Sequence, residues 1–161
     1  MRLTQYTDFS LRVLIYLGLH DDRRCTIREI SEAYGISRNH LMKVVQQLAA
    51  EGFIESVRGV GGGLTLSSDC SRLNVGRIVR AMEPDLGLVE CMRPGNECVI
   101  TPACALTGML AEARKAFLNV LDRYTLADIL GGSRRGELSR LLGIRVESAP
   151  AETGRTIGDA G

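Results

Sequence analysis

The sequence predicts a mainly α protein with a small β-hairpin wing: a winged helix-turn-helix domain followed by a long dimerisation helix. Two observations carry this. A short helix, a glycine turn, a polar-faced helix and a glycine-rich hairpin follow one another in that order. Further on, an apolar stripe at helical spacing has no neighbour of equal length to cover it.

Taken in order, Thr7 to Leu19 carry Phe9, Leu11, Val13, Leu14, Ile15 and Leu17, too densely apolar for a one-faced helix, which predicts a largely buried first helix. Asp21 to Arg24 form a polar turn. Thr26 then opens a Thr-x-x-Glu capping box with Glu29, and Ile27, Ile30 and Ala33 share one face of a short helix. Gly35 ends it and Ser37 is the expected cap of the next. Between Arg38 and Glu51, Leu41, Val44, Val45 and Leu48 form an apolar face opposite Arg38, Asn39, Lys43, Gln46 and Gln47. After Gly52, the segments 54–58 and 64–66 flank the glycine-rich residues 59–63 as a hairpin. A helix is expected over Val75 to Met82. Thr101-Pro102 reads as cap and first-turn proline of a long helix reaching about Tyr124. Its stripe of Leu106, Leu110, Ala113, Phe117, Val120, Leu121 and Tyr124 predicts a symmetric partner helix in a homodimer, with packing on the chain's own first helix as the alternative. Gly131 to Arg135 read as a linker, Glu137 to Leu142 as a short helix, and the residues beyond about Glu147 as disordered. The expected organisation is therefore a DNA-binding domain over 1–83, a ligand-bearing loop over 84–104, the dimerisation helix and its end over 102–130, and a tail over 131–161.

The 161 residues are 45% hydrophobic and 24% charged, ordinary for a soluble globular chain. A formal net charge of +1 gives no global attraction to phosphate, so any nucleic-acid binding rests on local charge. The odd cysteine count, five, and their uneven spacing argue against a disulfide framework. Without a secretory signal the expected compartment is the reducing cytoplasm, and no apolar run approaches a membrane span. No nucleophile–base pairing is evident, and Gly59 to Gly63 lack the Lys-Ser/Thr of a phosphate loop, so an enzyme is not expected.

A polar helix face alone is ordinary solvation. In sequence with the capping box, turn glycine and hairpin it becomes a recognition helix for the major groove of double-stranded DNA. Arg38, Asn39, His40, Gln46 and Gln47 have the chemistry for base edges or phosphates, and Lys43 for phosphate or guanine. Arg28 and Ser37 flank this face. Arg58 is placed to reach a neighbouring minor groove, with Gly61 and Gly62 permitting close backbone approach.

Cys91, Cys98 and Cys104 supply three thiolate ligands, the third expected in the first turn of the long helix. Their spacing fits an iron–sulfur cluster, with structural zinc or a thiol switch as alternatives, although zinc's usual close Cys pairs are absent. A fourth ligand is missing. Cys25 and Cys70 stand apart and read as small buried hydrophobes.

Several stretches resemble one family: 1–8 (MRLTQYTD), 37–43 (SRNHLMK), 57–63 (VRGVGGG), 100–104 (ITPAC) and 124–128 (YTLAD). Together they are similar to the bacterial iron–sulfur winged-helix regulators, and within them to the nitric-oxide-sensing branch; the likeness runs from Met1 to about Leu130. The resemblance implies a homodimeric repressor of a palindromic operator. It implies a cluster, [2Fe–2S] or [4Fe–4S], held by Cys91, Cys98 and Cys104, with Asp8 of the partner subunit as fourth ligand and nitric oxide as the signal that releases DNA. On its own residues, Asp8 is simply an acid in the first turn of a helix. IscR-like members carry a histidine three residues after the third cysteine, where this chain has Thr107, which counts against that ligand set. An IscR-like sensor of cluster supply or redox state and, more remotely, an electron carrier are the alternatives.

Overall fold

The computed structural model describes residues 2–144. Helix α1 (Gln5–Leu19) starts earlier than its apolar pattern suggests, because the Thr4 side chain accepts the Thr7 N–H and caps it. The expected capping box forms at Thr26 and Glu29, opening α2 (Ile27–Tyr34), which ends at Gly35 in the left-handed conformation (φ 64°). Helix α3 (Arg38–Ala50) follows. Ser37 does not cap it with its side chain; instead its carbonyl accepts the N–H groups of His40 and Leu41, leaving the hydroxyl free at the surface.

Strands β1 (Ile54–Val57) and β2 (Gly63–Leu66) pair antiparallel, Ile54 opposite Leu66 and Val57 opposite Gly63. A reciprocal pair of backbone bonds joins Leu64 to Cys25, so the hairpin is fastened to the turn between α1 and α2. Helix α4 (Val75–Met82) spans the predicted residues and is capped by Asn74. Helices α5 (Leu106–Leu121), α6 (Leu126–Leu130) and α7 (Ser133–Leu141) complete the described chain.

One core runs through Leu14, Leu17, Ile30, Leu41, Leu48, Phe53 and Ile78 and is closed by Leu126 and Leu130 of α6. Helix α6 lies so close to α1 that a Cβ on Gly18 would stand 2.4 Å from the Leu130 side chain. Helix α5 instead touches the body mainly through Leu118, buried against Val75 and Val79 of α4. Much of its predicted stripe stays open, with Leu106, Val120 and Tyr124 exposed. An Arg80–Asp122 ion pair fixes the end of α5 to α4, and the guanidinium holds the Asp122 carboxyl below its ordinary value.

The long helix and the linker differ from expectation, and α5 ends at Leu121, short of Tyr124. Thr101-Pro102 does not open the long helix; residues 101–103 form a single 3-10 turn, and Cys104 is extended (ψ 112°) before α5 begins. The reason is local: the Thr101 hydroxyl donates to Asn96 Oδ1, back into the loop, and is not spent on a cap. Cys104 therefore lies outside the helix rather than in its first turn. The supposed linker is also shorter, since α7 already begins at Ser133 and Arg135 donates to the carbonyls of Gly18 and Leu19 and pairs with Asp21. The segment expected to be disordered beyond about Glu147 lies outside the described residues.

Directly after α4, Glu83 is buried at 9% exposure. Its Oε2 accepts from the Thr4 N–H, the Thr4 hydroxyl and the fully buried Thr7 hydroxyl. Truncating it removes the shared acceptor of three donors and leaves the buried Thr7 hydroxyl only the Thr4 hydroxyl, 3.2 Å away. Glu83→Ala is expected to lower unfolding free energy by about 1–3 kcal/mol in urea denaturation; a change below about 0.5 kcal/mol, the range of ordinary surface substitutions, would refute this role.

Candidate functional site

Two surfaces carry the chemistry. On the reading head, Ser37, Arg38, Asn39, His40, Lys43 and Gln46 are all exposed along one side of α3, while Leu41, Val44, Val45 and Leu48 anchor the other. Gln47 is half-buried and donates to Glu51 one turn on, so it serves the helix itself. Arg28 pairs with Glu32 at 2.7 Å and Arg38 stands 3.8 Å from the same carboxylate. Both pairs are exposed and therefore weak, easily given up to a phosphate. Among the described residues no carboxylate lies within ion-pair reach of Lys43 or Arg58, whose charges face solvent.

Arg58 stands where β1 leaves the sheet, at the base of the wing. Gly61 adopts φ 74°, and a Cβ on Gly62 would meet the Val57 carbonyl at 2.3 Å. The Gly62 N–H closes the turn on the Gly59 carbonyl. The wing tip is thus a tight backbone turn that side chains other than glycine would open.

The second surface is the segment between α4 and α5. Cys91 lies in a 3-10 turn at 90–92, Cys98 in irregular chain and Cys104 just ahead of α5. All three are half-buried free thiols. The loop is braced by Arg93 to Asp85 at 2.6 Å, by the Glu97 N–H donating to Glu90, and by Thr101 to Asn96. The Thr107 hydroxyl donates to Cys91 Sγ at 3.2 Å, so the first turn of α5 faces the first cysteine. Among the described residues no three Cys, His, Asp or Glu side chains converge on a single-ion site. The donor set, three accessible thiols on one braced loop, fits a cluster, in which the thiolates bind different iron atoms. Cys25 is different: burial pushes its thiol up to about 11, and it stays protonated in the core. Cys70 departs from expectation, being half-buried beside Gly18 with its thiol raised by burial.

Helix α1 stands between the two surfaces. Asp8 pairs with Arg12 at 2.8 Å, and the Arg12 guanidinium lies 5.9 Å from the Phe9 ring and 5.8 Å from that of Tyr34, the last residue of α2. Phe9 in turn stands 6.2 Å from His40. The Tyr6 hydroxyl donates to the Lys43 carbonyl on the recognition helix at 3.0 Å. Sequence reasoning missed Tyr6, Arg12 and Glu83. The sole hint was that so many polar residues occupy the start of a helix otherwise meant for burial.

The family model described as Rrf2, an iron-dependent transcriptional regulator, matches residues 3–132. The chain belongs to the Rrf2 family. It is 48% identical over 132 residues to the HTH-type transcriptional regulator NsrR of Geobacillus kaustophilus, covering 81% of this chain and 90% of that protein. The figures are the same for the regulator of that name in Bacillus subtilis. Among solved structures, it resembles T. potens IscR (TM-score 0.65, 24% identity, 81% of this chain and 86% of that one). It also resembles Staphylococcus aureus CymR (TM-score 0.60, 26% identity, 76% and 93%). These likenesses agree with the winged-helix fold read from the sequence. As an Rrf2 protein the chain is a DNA-binding transcriptional regulator and not an enzyme. Among the described residues no helix is long and apolar enough to cross a membrane.

In this Rrf2 chain the five thiols divide by burial. In cluster-free protein near neutral pH, iodoacetamide is expected to label Cys91, Cys98 and Cys104 well before Cys25, as read by mass spectrometry of peptides over time. Equal labelling of Cys25 would contradict its placement in the core.

Proposed function

We propose that the chain is a homodimeric repressor that binds a palindromic operator and releases it in response to nitric oxide through an iron–sulfur cluster, [2Fe–2S] or [4Fe–4S]. Cys91, Cys98 and Cys104 would hold the cluster, with Asp8 of the partner subunit as the fourth ligand. The group, when bound, supplies iron that reacts with nitric oxide. The observation that carries this reading is the position of Asp8: it sits in the first turn of the same helix whose Tyr6 holds the recognition helix.

The chain's own residues supply the coupling. The exposed Asp8–Arg12 pair is of the kind worth about 0–1 kcal/mol, so Asp8 can exchange Arg12 for another partner at little cost. When Asp8 is engaged elsewhere, Arg12 is left with the rings of Phe9 and Tyr34, which border His40 and the end of α2. The open apolar side chains of α5, with Leu106, Met109 and Val120 exposed, support a second copy as its cover. Two reading heads then have a spacing that must match half-sites about one DNA turn apart. Lys43 and Arg58, free of ion pairs among the described residues, supply phosphate or groove contacts, as do Arg28, Ser37, Arg38, Asn39, His40 and Gln46 around them. Gly61 and Gly62 let the wing approach closely. Thr107 at Cys91 weighs against the IscR-like ligand set, because a hydroxyl here serves a cysteine and no imidazole is present to bind iron.

The test is Cys98→Ala, purified anaerobically beside the parent protein. The parent is expected to be coloured, to retard operator DNA and to release it on stoichiometric nitric oxide. The variant is expected to be colourless and to bind operator about 5–150-fold more weakly, the usual span of allosteric coupling. A variant that still binds tightly and still answers nitric oxide would overturn the proposal, as would a coloured parent whose DNA affinity ignores nitric oxide.

A further inference from the structure

The polar side of α3 contains one large apolar exception. Met42 is 51% exposed, whereas Leu41, Val44, Val45 and Leu48 of the same helix are buried. It lies on one stripe with Arg38 and Gln46, a turn to either side, so it is flanked by groups suited to hydrogen-bond base edges or phosphates. Together with Val45, Ala49, Ile27 and Arg58 it lines a cleft between α3 and the first wing strand. Nothing in the described fold needs Met42 there.

The floor of the major groove has one apolar feature, the C5-methyl group of thymine. We infer that Met42 is a specificity-determining residue that packs on a thymine methyl group in each operator half-site. A thioether on three rotatable bonds adjusts to a methyl without demanding one geometry, and its neighbours Arg38 and Gln46 set its depth. The inference rests on the DNA-binding reading above and adds to it the base that is read.

The experiment begins with selection of an operator from random duplexes by the cluster-loaded protein. Each thymine of the selected site, in symmetric pairs, is then replaced by deoxyuridine, which deletes the methyl group and no hydrogen-bonding group. At one symmetric pair the parent protein is expected to lose about fourfold per methyl, or about fifteenfold for the pair, consistent with one apolar carbon withdrawn from contact. Met42→Ala is expected to bind the thymine operator correspondingly more weakly and to treat thymine and deoxyuridine alike within twofold. Met42→Gln, which keeps the length of the side chain, is expected to lose the discrimination as well. Unchanged binding to unrelated duplex DNA would confirm that both variants retain the reading head. If every deoxyuridine pair is tolerated within twofold, or if Met42→Ala discriminates as the parent does, the inference is overturned while the DNA-binding reading stands. If selection yields no operator, both fall together.

Discussion

The structure depends on the first turn of α1 and on the buried carboxylate that holds it. Glu83 ends α4 and begins the cysteine loop, and it accepts from Thr4 and Thr7, distant in sequence but adjacent in the fold. Between those residues Tyr6 reaches outward to the Lys43 carbonyl, and next to them Asp8 faces Arg12. One helical turn thus grips the root of the loop, the back of the recognition helix and an exchangeable ion pair. A buried, hydrogen-bonded carboxylate is costly to leave unsatisfied, so this junction is rigid where an ordinary surface turn would fray.

This arrangement accounts for the placement of the rest. Helix α6 returns to α1 over Gly18 and closes the core, so the chain after α5 stabilises the reading head rather than trailing from it. Helix α5 stands out from the body, held by Leu118 and the Arg80–Asp122 pair, with its outer stripe open. The cysteine loop hangs between a fixed root at Glu83 and the start of α5, where Thr107 meets Cys91. Wing and recognition helix share the same support through the Leu64–Cys25 bonds and the common core.

Much of this was legible in the sequence because it is local. The capping box at Thr26, the stop at Gly35, the hairpin around Gly59 to Gly63 and the span of α4 follow from patterning and turn chemistry within a few residues. What escaped reading was set by local competition for caps and by distance. Thr101 looked like a cap until Asn96 claimed its hydroxyl, and Ser37 looked like one until its carbonyl did the work. Tyr6 and Glu83 act on residues far along the chain, and no pattern of spacing reveals a partner nearly eighty positions away. The residues proposed to face DNA follow from chemistry and order, and the exposed Met42 interrupts the polar pattern that singles out its neighbours.

The central claim is that the first turn of α1 couples the state of the cysteine loop to the recognition helix. It is tested most directly by Tyr6→Phe, which removes one hydroxyl from that junction and leaves every cysteine and every DNA-facing residue in place. The quantity to measure is the ratio of operator affinities between cluster-loaded and cluster-free protein, for the parent and the variant, with visible absorption confirming equal loading. The account predicts a parent ratio within about 5–150 and a variant ratio several-fold closer to one. An undiminished ratio in the variant would contradict it, and the path from loop to DNA would have to run through another element.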